Sequence, residues 1–136
     1  MTIVDFGSGA CWLSRFLNQL QCRTISCDPS ETALEIGKNL FKKYPVIGGY
    51  SSEPVFLPFN GHTIDLPDNT VDRIICYDAF HHVPNQAEVL SEFYRILKDE
   101  GIAGFSEPGR FHSQSPEAQK EMKDFKVLED DINIEE

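Results

Sequence analysis

The chain has 136 residues, enough for one domain around a single core and too few for two. Hydrophobic residues at 40% and charged residues at 25% are globular rather than disordered proportions. The formal net charge is −10, and the basic residues are scattered, with Lys42-Lys43 their densest pair, so no nucleic-acid partner is expected.

Part of the acidity is local: Glu129, Asp130, Asp131, Glu135 and Glu136 crowd the last eight residues, read as a solvated end. Cys11, Cys22, Cys27 and Cys76 form no CxxC pair and read as reduced thiols of a cytoplasmic protein. No apolar run approaches the roughly 20 residues of a membrane helix, and Asp5 interrupts the N-terminus too early for a signal peptide. Both ends are abrupt, so residues 1–136 are expected to be one domain, a fragment of a longer protein.

Along the chain, Thr2–Phe6 reads as a buried strand, and Cys11–Leu20 as a helix with Trp12, Leu13, Phe16, Leu17 and Leu20 on one face. Arg23–Cys27 is a second strand. Ser30 caps a helix that runs to about Tyr44, where Pro45 helps to end it. A turn-rich stretch with Gly48-Gly49 leads to a third strand, Val55–Asn60, and "DLPDN" at 65–69 turns into a fourth, Val71–Tyr77. Asn85 and Glu88 resemble a capping box for a helix carrying Ala87, Leu90, Phe93, Tyr94 and Leu97 on one stripe. Gly101 ends that connection, Ile102–Ser106 is a fifth strand, and Ser115-Pro116 starts a last helix. Phe16, Phe41, Phe93 and Phe105 read as core.

Alternating strands and helices predict a three-layer α/β/α Rossmann-like sheet of five mostly parallel strands in the order 3-2-1-4-5. Ligands of such sheets sit at the carboxyl ends of the strands. The polar residues gather there: Asp5 to Gly9, Asp28, Asn60 to His62, Tyr77 to His82, and Glu107.

The loop "DFGSGACW" matches two glycines of the dinucleotide fingerprint, Gly7 and Gly9, but puts Trp12 at the third. A carboxylate at Asp5 would repel a pyrophosphate and suits a ligand carrying positive charge. Both residues argue against an NAD or sugar-nucleotide enzyme.

"VDFGSGACWLSRFL" resembles the first motif of class I S-adenosylmethionine-dependent methyltransferases. The resemblance continues through "SCDPS", "LPDNTVDRIICYDAFHHVPN" and "EVLSEFYRILKDEGIAGFSEPG", covering residues 2–110 in order. "PGRFHSQSPEAQKEMKDFKVLEDDI" is similar to methyltransferase domains found with bacterial glycosyltransferases.

The resemblance implies S-adenosyl-L-methionine as cofactor. It places Asp5 near the amino group, Gly7, Ser8, Gly9 and Cys11 around the methionine part, and Asp28 with Pro29 at the ribose. It places Asn60, Gly61 and His62 at the adenine, and Tyr77 and Asp78 along the methionine arm. It further implies a small-molecule or saccharide-linked methyl acceptor. The chain departs from the family at Cys11, where a third glycine is usual, and at Ile64-Asp65-Leu66, where "LPF" is usual. Seven strands are usual and five can be placed, so for the exposed fifth strand either pairing of two copies into a homodimer, a missing C-terminal segment, or both is expected.

Several residues keep two readings. Asp28 is a ribose acceptor, a helix cap, or both. Asn60, Gly61 and His62 form an adenine contact or a plain turn. His81, His82 and Glu107 are the candidate catalytic residues: a histidine as general base, Glu107 orienting substrate. Their bland counterparts are loop histidines and a loop cap. Asp78, His81, His82 and Glu107 match no standard metal-ligand spacing, so no metal is expected. The rival to an enzyme is a non-catalytic S-adenosylmethionine-binding or interaction domain.

Overall fold

The strand-like runs at 2–6, 23–28, 55–58 and 71–77 become parallel strands, the central ones largely buried. The computed structural model describes residues 1–45, 47 and 52–108. Within them the order is β1 (Thr2–Phe6), α1 (Trp12–Gln19), β2 (Arg23–Asp28), α2 (Glu31–Lys43), β3 (Val55–Pro58), β4 (Val71–Tyr77), a 3₁₀ turn (Phe80–His82), α3 (Gln86–Ile96) and β5 (Leu97–Ser106). The sheet runs β3-β2-β1-β4-β5, as the alternation predicts, and all four pairings are parallel. The helix expected from Ser115, the acidic tail and the Gly48-Gly49 turn lie outside the described residues.

Side chains alternate across the central strands. Val4 and Phe6 of β1, Ile25 and Cys27 of β2, and Ile74 and Cys76 of β4 face a core closed by Val89, Phe93 and Ile96 of α3. Across the sheet, Leu34 and Phe41 of α2 close a smaller core with Cys11. There Gly37 is required, since a Cβ would lie 2.5 Å from Cys11 Sγ. Ser30 caps α2 as expected, accepting from the Ala33 amide at 3.1 Å.

Five sequence expectations are corrected, one of them in α3, where Leu90 and Tyr94 of the expected stripe are exposed and Val89, Phe93 and Ile96 are buried. The apolar face of α1 does not pack inward: Trp12, Phe16 and Leu20 are exposed, and Ser14 and Asn18 are buried instead. The reason is the strand beneath, because β2 turns Thr24 and Ser26 toward α1; Ser26 Oγ donates to Ser14 Oγ at 2.6 Å and Asn18 Nδ2 to Thr24 Oγ1 at 3.4 Å. Of the four phenylalanines, Phe41 and Phe93 are buried, whereas Phe16 and Phe105 are 62% and 44% exposed, the second on the strand that ends the sheet among the described residues.

The capping box is not formed. Asn85 Nδ2 donates to the Gly61 carbonyl and Glu88 Oε1 meets His62 Nδ1 at 2.7 Å, so both residues tie α3 to the turn after β3. Finally, β5 begins at Leu97 rather than Ile102. Its register on β4 breaks between Val71 and Arg73, and the segment doubles back so tightly at Gly101 that a Cβ would lie 2.8 Å from Leu97 Cδ2.

Candidate functional site

The carboxyl ends of β1, β2, β3 and β4 surround a cleft of about 610 Å³. Gly7, Asp28 and Pro29 form one wall, Gly61 and His62 a second, and Asp78, Ala79 and His82 a third; Phe6 and Phe59 supply apolar floor. A cavity of equal volume lies at the amino ends, beside Met1, Asp72 and Lys98. Open α/β sheets do not bind ligands there, and two of its charged groups are already paired with each other: Asp72 accepts from Lys98 Nζ as well as from the Thr2 amide.

The glycine loop is fixed from behind. The amides of Gly7 and Ser8 both donate to the Cys27 carbonyl, at 2.8 and 3.2 Å, and the Gly9 amide donates to Asp28 Oδ2 at 2.9 Å. Three successive amides are therefore spent on the end of β2. A phosphate-binding loop turns such amides toward its ligand, so this one is no anion cradle. Gly7 has φ 73° and faces Ala79, where a Cβ would come within 2.3 Å of the Ala79 Cβ. Around Gly9, with φ 53°, nothing stands within 4 Å of a Cβ position, which leaves open backbone for a ligand to approach.

Asp28 does two jobs. Besides holding Gly9, its Oδ1 accepts from the Ser30 amide at 2.8 Å, opening the path into α2, while the residue lines the cleft. Asp5 is buried behind the loop, its Oδ2 accepting from Ser14 Oγ at 2.7 Å. Burial pushes its carboxyl above the usual range, the Ser14 hydrogen bonds oppose that, and the Asp28 charge adds to it. Burial likewise pushes the Cys27 thiol up to about 12.

The other expected residues separate into those at the cleft and those behind it. Gly61, His62, Pro29 and Asp78 line it; Ser8 and Cys11 are buried within the loop. Asn60 serves the turn, its Oδ1 accepting from the amides of His62 and Thr63, both at 2.8 Å. Tyr77 turns outward and meets Trp12 edge-on with ring centroids 5.4 Å apart.

The three candidate catalytic residues also separate. His81 is buried, and its Nδ1 lies 2.7 Å from Glu107 Oε2. Glu107 Oε1 accepts from the Phe80 amide at 2.6 Å. This pair holds the 3₁₀ turn to the end of β5. His82 is exposed and reaches the cleft. Asp78, His81 and Glu107 place one potential ligand atom each within 4.8 Å of one another, but both Glu107 oxygens already serve the turn.

Sequence reasoning missed Phe59, Val83, Pro84 and Asn85 of the cleft, and Ser14 behind it. Val83-Pro84 had a legible position, directly after the histidine pair. Ser14 had none, because nothing in spacing marks a buried serine.

The family model described as a methyltransferase domain matches residues 4–105. The chain belongs to that family. Ubiquinone/menaquinone biosynthesis C-methyltransferase UbiE of Escherichia coli O1:K1 is 26% identical over 113 residues, which are 79% of this chain and 43% of that protein. The chain thus spans about half the length of the curated relatives it matches. A SAM dependent methyltransferase from Aquifex aeolicus superposes with a TM-score of 0.71 at 24% identity, covering 80% of this chain and 57% of that one. An S-adenosylmethionine dependent methyltransferase from Mesorhizobium loti gives 0.78 at 15%, covering 98% and 68%. These two likenesses show a shared fold.

The cofactor of this class is S-adenosylmethionine, and the residues present fit it. The cleft offers carboxylates at Asp28 and Asp78 for hydroxyl and ammonium groups, glycine backbone at Gly7 and Gly61, and apolar floor at Phe6 and Phe59 for a base. No helix among the described residues is long and apolar enough to cross a membrane.

Proposed function

We propose that the methyltransferase domain transfers a methyl group from S-adenosylmethionine to a small-molecule acceptor. The carrying observation is the spent loop: Gly7, Ser8 and Gly9 give their amides to β2, so the loop suits a nucleoside whose charged end is an amino acid rather than a phosphate. When bound, the cofactor supplies a methyl group already activated by a sulfonium.

The chain's residues then have to hold and align. Asp28 accepts from ribose hydroxyls, Gly61 and His62 border the base, Asp78 and the Gly9 backbone border the amino-acid end, and Asp5 supplies negative charge behind the loop. His82 is the imidazole that faces the cleft among the candidate bases, and it takes a proton from an oxygen acceptor. His81 and Glu107 hold the turn that presents it. Alignment accounts for most of the rate in such a displacement.

A saccharide-linked acceptor, a cytoplasmic setting and pairing of two copies along β5 extend this reading. Free thiols support the second, and exposed Ile102 and Phe105 on the edge strand support the third. The test is transfer of labelled methyl from S-adenosylmethionine to a panel of phenols, amines and saccharides. Labelled product with release of S-adenosylhomocysteine is expected. Tight binding of both nucleosides without transfer to any acceptor would instead favour a non-catalytic binding domain.

A further inference from the structure

Ser14 and Ser26 have no part in the cleft wall, yet both are completely buried and both are polar. Ser26 Oγ donates to Ser14 Oγ at 2.6 Å, and Ser14 Oγ donates to Asp5 Oδ2 at 2.7 Å. The donation runs one way, because Ser14 has a single hydroxyl proton and gives it to the carboxylate. A buried serine pair costs stability unless its hydroxyls are satisfied, and here both are satisfied along a chain that ends on Asp5. The hydroxyls therefore serve the acid at the end of the chain.

We propose that the Ser26–Ser14 relay is a positioning device that keeps Asp5 an oriented anion behind the glycine loop, and so fits the cleft to a ligand with a positive amino-acid end. This rests on the methyltransferase reading above. Its surroundings make the relay necessary. The titratable groups around Asp5 are Asp28 at the end of β2 and the thiols of Cys11, Cys27 and Cys76, from the α1 cap, β2 and β4, and none of these is a cation. Without the Ser14 hydroxyl, only the Ser14 backbone amide would oppose burial and the Asp28 charge, and Asp5 would hold its proton to higher pH. Removing the inner hydroxyl should therefore weaken only those ligands that carry the ammonium. Ser26 acts one bond further out, so its removal should act in the same direction and less strongly.

The test compares S-adenosylhomocysteine, which has the ammonium, with 5′-methylthioadenosine, which lacks the whole amino-acid end. Calorimetry is run on the wild-type chain, Ser14→Ala and Ser26→Ala from pH 5 to 8. Ser14→Ala is expected to lose roughly tenfold in S-adenosylhomocysteine affinity at neutral pH, with methylthioadenosine unchanged. The pH below which S-adenosylhomocysteine binding fails should move upward, and Ser26→Ala should give a smaller shift of the same sign. A parallel loss of both ligands, or no change in the pH profile in either variant, overturns the relay while leaving the methyltransferase reading intact. A folded wild-type chain that binds neither ligand overturns both.

Discussion

Asp28 and Gly9 are joined by a 2.9 Å hydrogen bond from the Gly9 amide to the Asp28 carboxylate, across 19 residues of chain. That bond makes the glycine loop part of the β2 terminus and sets the loop's chemistry: its amides look back at the protein, and no atom crowds the Cβ position of Gly9. Replacing Asp28 tests both halves. Asp28→Asn keeps one carbonyl acceptor and should remain folded, with affinity for S-adenosylhomocysteine falling about ten- to a hundredfold. Asp28→Ala should also lower the melting temperature, because the Gly9 and Ser30 amides lose their acceptor. Calorimetry and thermal denaturation check the two outcomes separately.

Gly7 has no room for a side chain. A Cβ would sit 2.3 Å from the Ala79 Cβ at a φ of 73°. Gly7→Ala should cost about 2–4 kcal/mol, from overpacking together with left-handed strain. Adding Ala79→Gly removes the collision and not the strain, so the double variant should recover part of the loss in a denaturant titration.

His81 and His82 are neighbours with different work. His81 is locked to Glu107 in a buried pair, so Glu107→Ala should destabilise the fold by about 3 kcal/mol or more. His82→Ala should leave the melting temperature and S-adenosylhomocysteine affinity near wild type and lower the methyl-transfer rate to an oxygen acceptor by about a hundredfold. Single-turnover kinetics beside a thermal scan distinguish these.

Asp5 gives a pH prediction with a definite sign. Burial raises its carboxyl above the value it has in the unfolded chain. The folded state therefore releases that proton later, and ionisation costs stability as pH rises from the unfolded value through the folded one. Asp5→Asn removes this cost. It should melt higher than wild type at pH 7, the difference shrinking as pH falls below the ordinary carboxylate value, while S-adenosylhomocysteine affinity drops about tenfold. A melting series from pH 3 to 8 reads it.

The outward face of α1 is tested by Phe16→Ser. Phe16 is 62% exposed, so the change should move stability by no more than about 0.5 kcal/mol. A core phenylalanine in that place would cost several times more.

Much of this was legible in the sequence. Strand order followed from alternation and handedness, and the gathering of Asp28, Gly61, His62 and Asp78 at the strand ends followed from the sheet rule. The buried face of α1 was not legible, because periodicity finds a stripe without saying which way it faces. The partner decided that: Thr24 and Ser26 on β2 recruited Ser14 and Asn18, leaving Trp12 and Phe16 outside. Asn60 kept two readings, an adenine contact and a plain turn, and its side-chain carbonyl takes up the turn. Its residue type suits an adenine contact, but an Asn two and three residues before free amides folds onto them first. The division between His81 and His82 depends on the 3₁₀ turn, which local sequence does not announce.

The central claim is that this cleft takes a nucleoside with an amino-acid end and rejects a pyrophosphate. Calorimetric titration of the chain with S-adenosylhomocysteine and with NAD tests it most directly. Saturable one-to-one binding of S-adenosylhomocysteine, lost in Asp28→Ala, with no heat from NAD, is the predicted result. Binding of NAD in preference, or no S-adenosylhomocysteine binding by a folded sample, would contradict it.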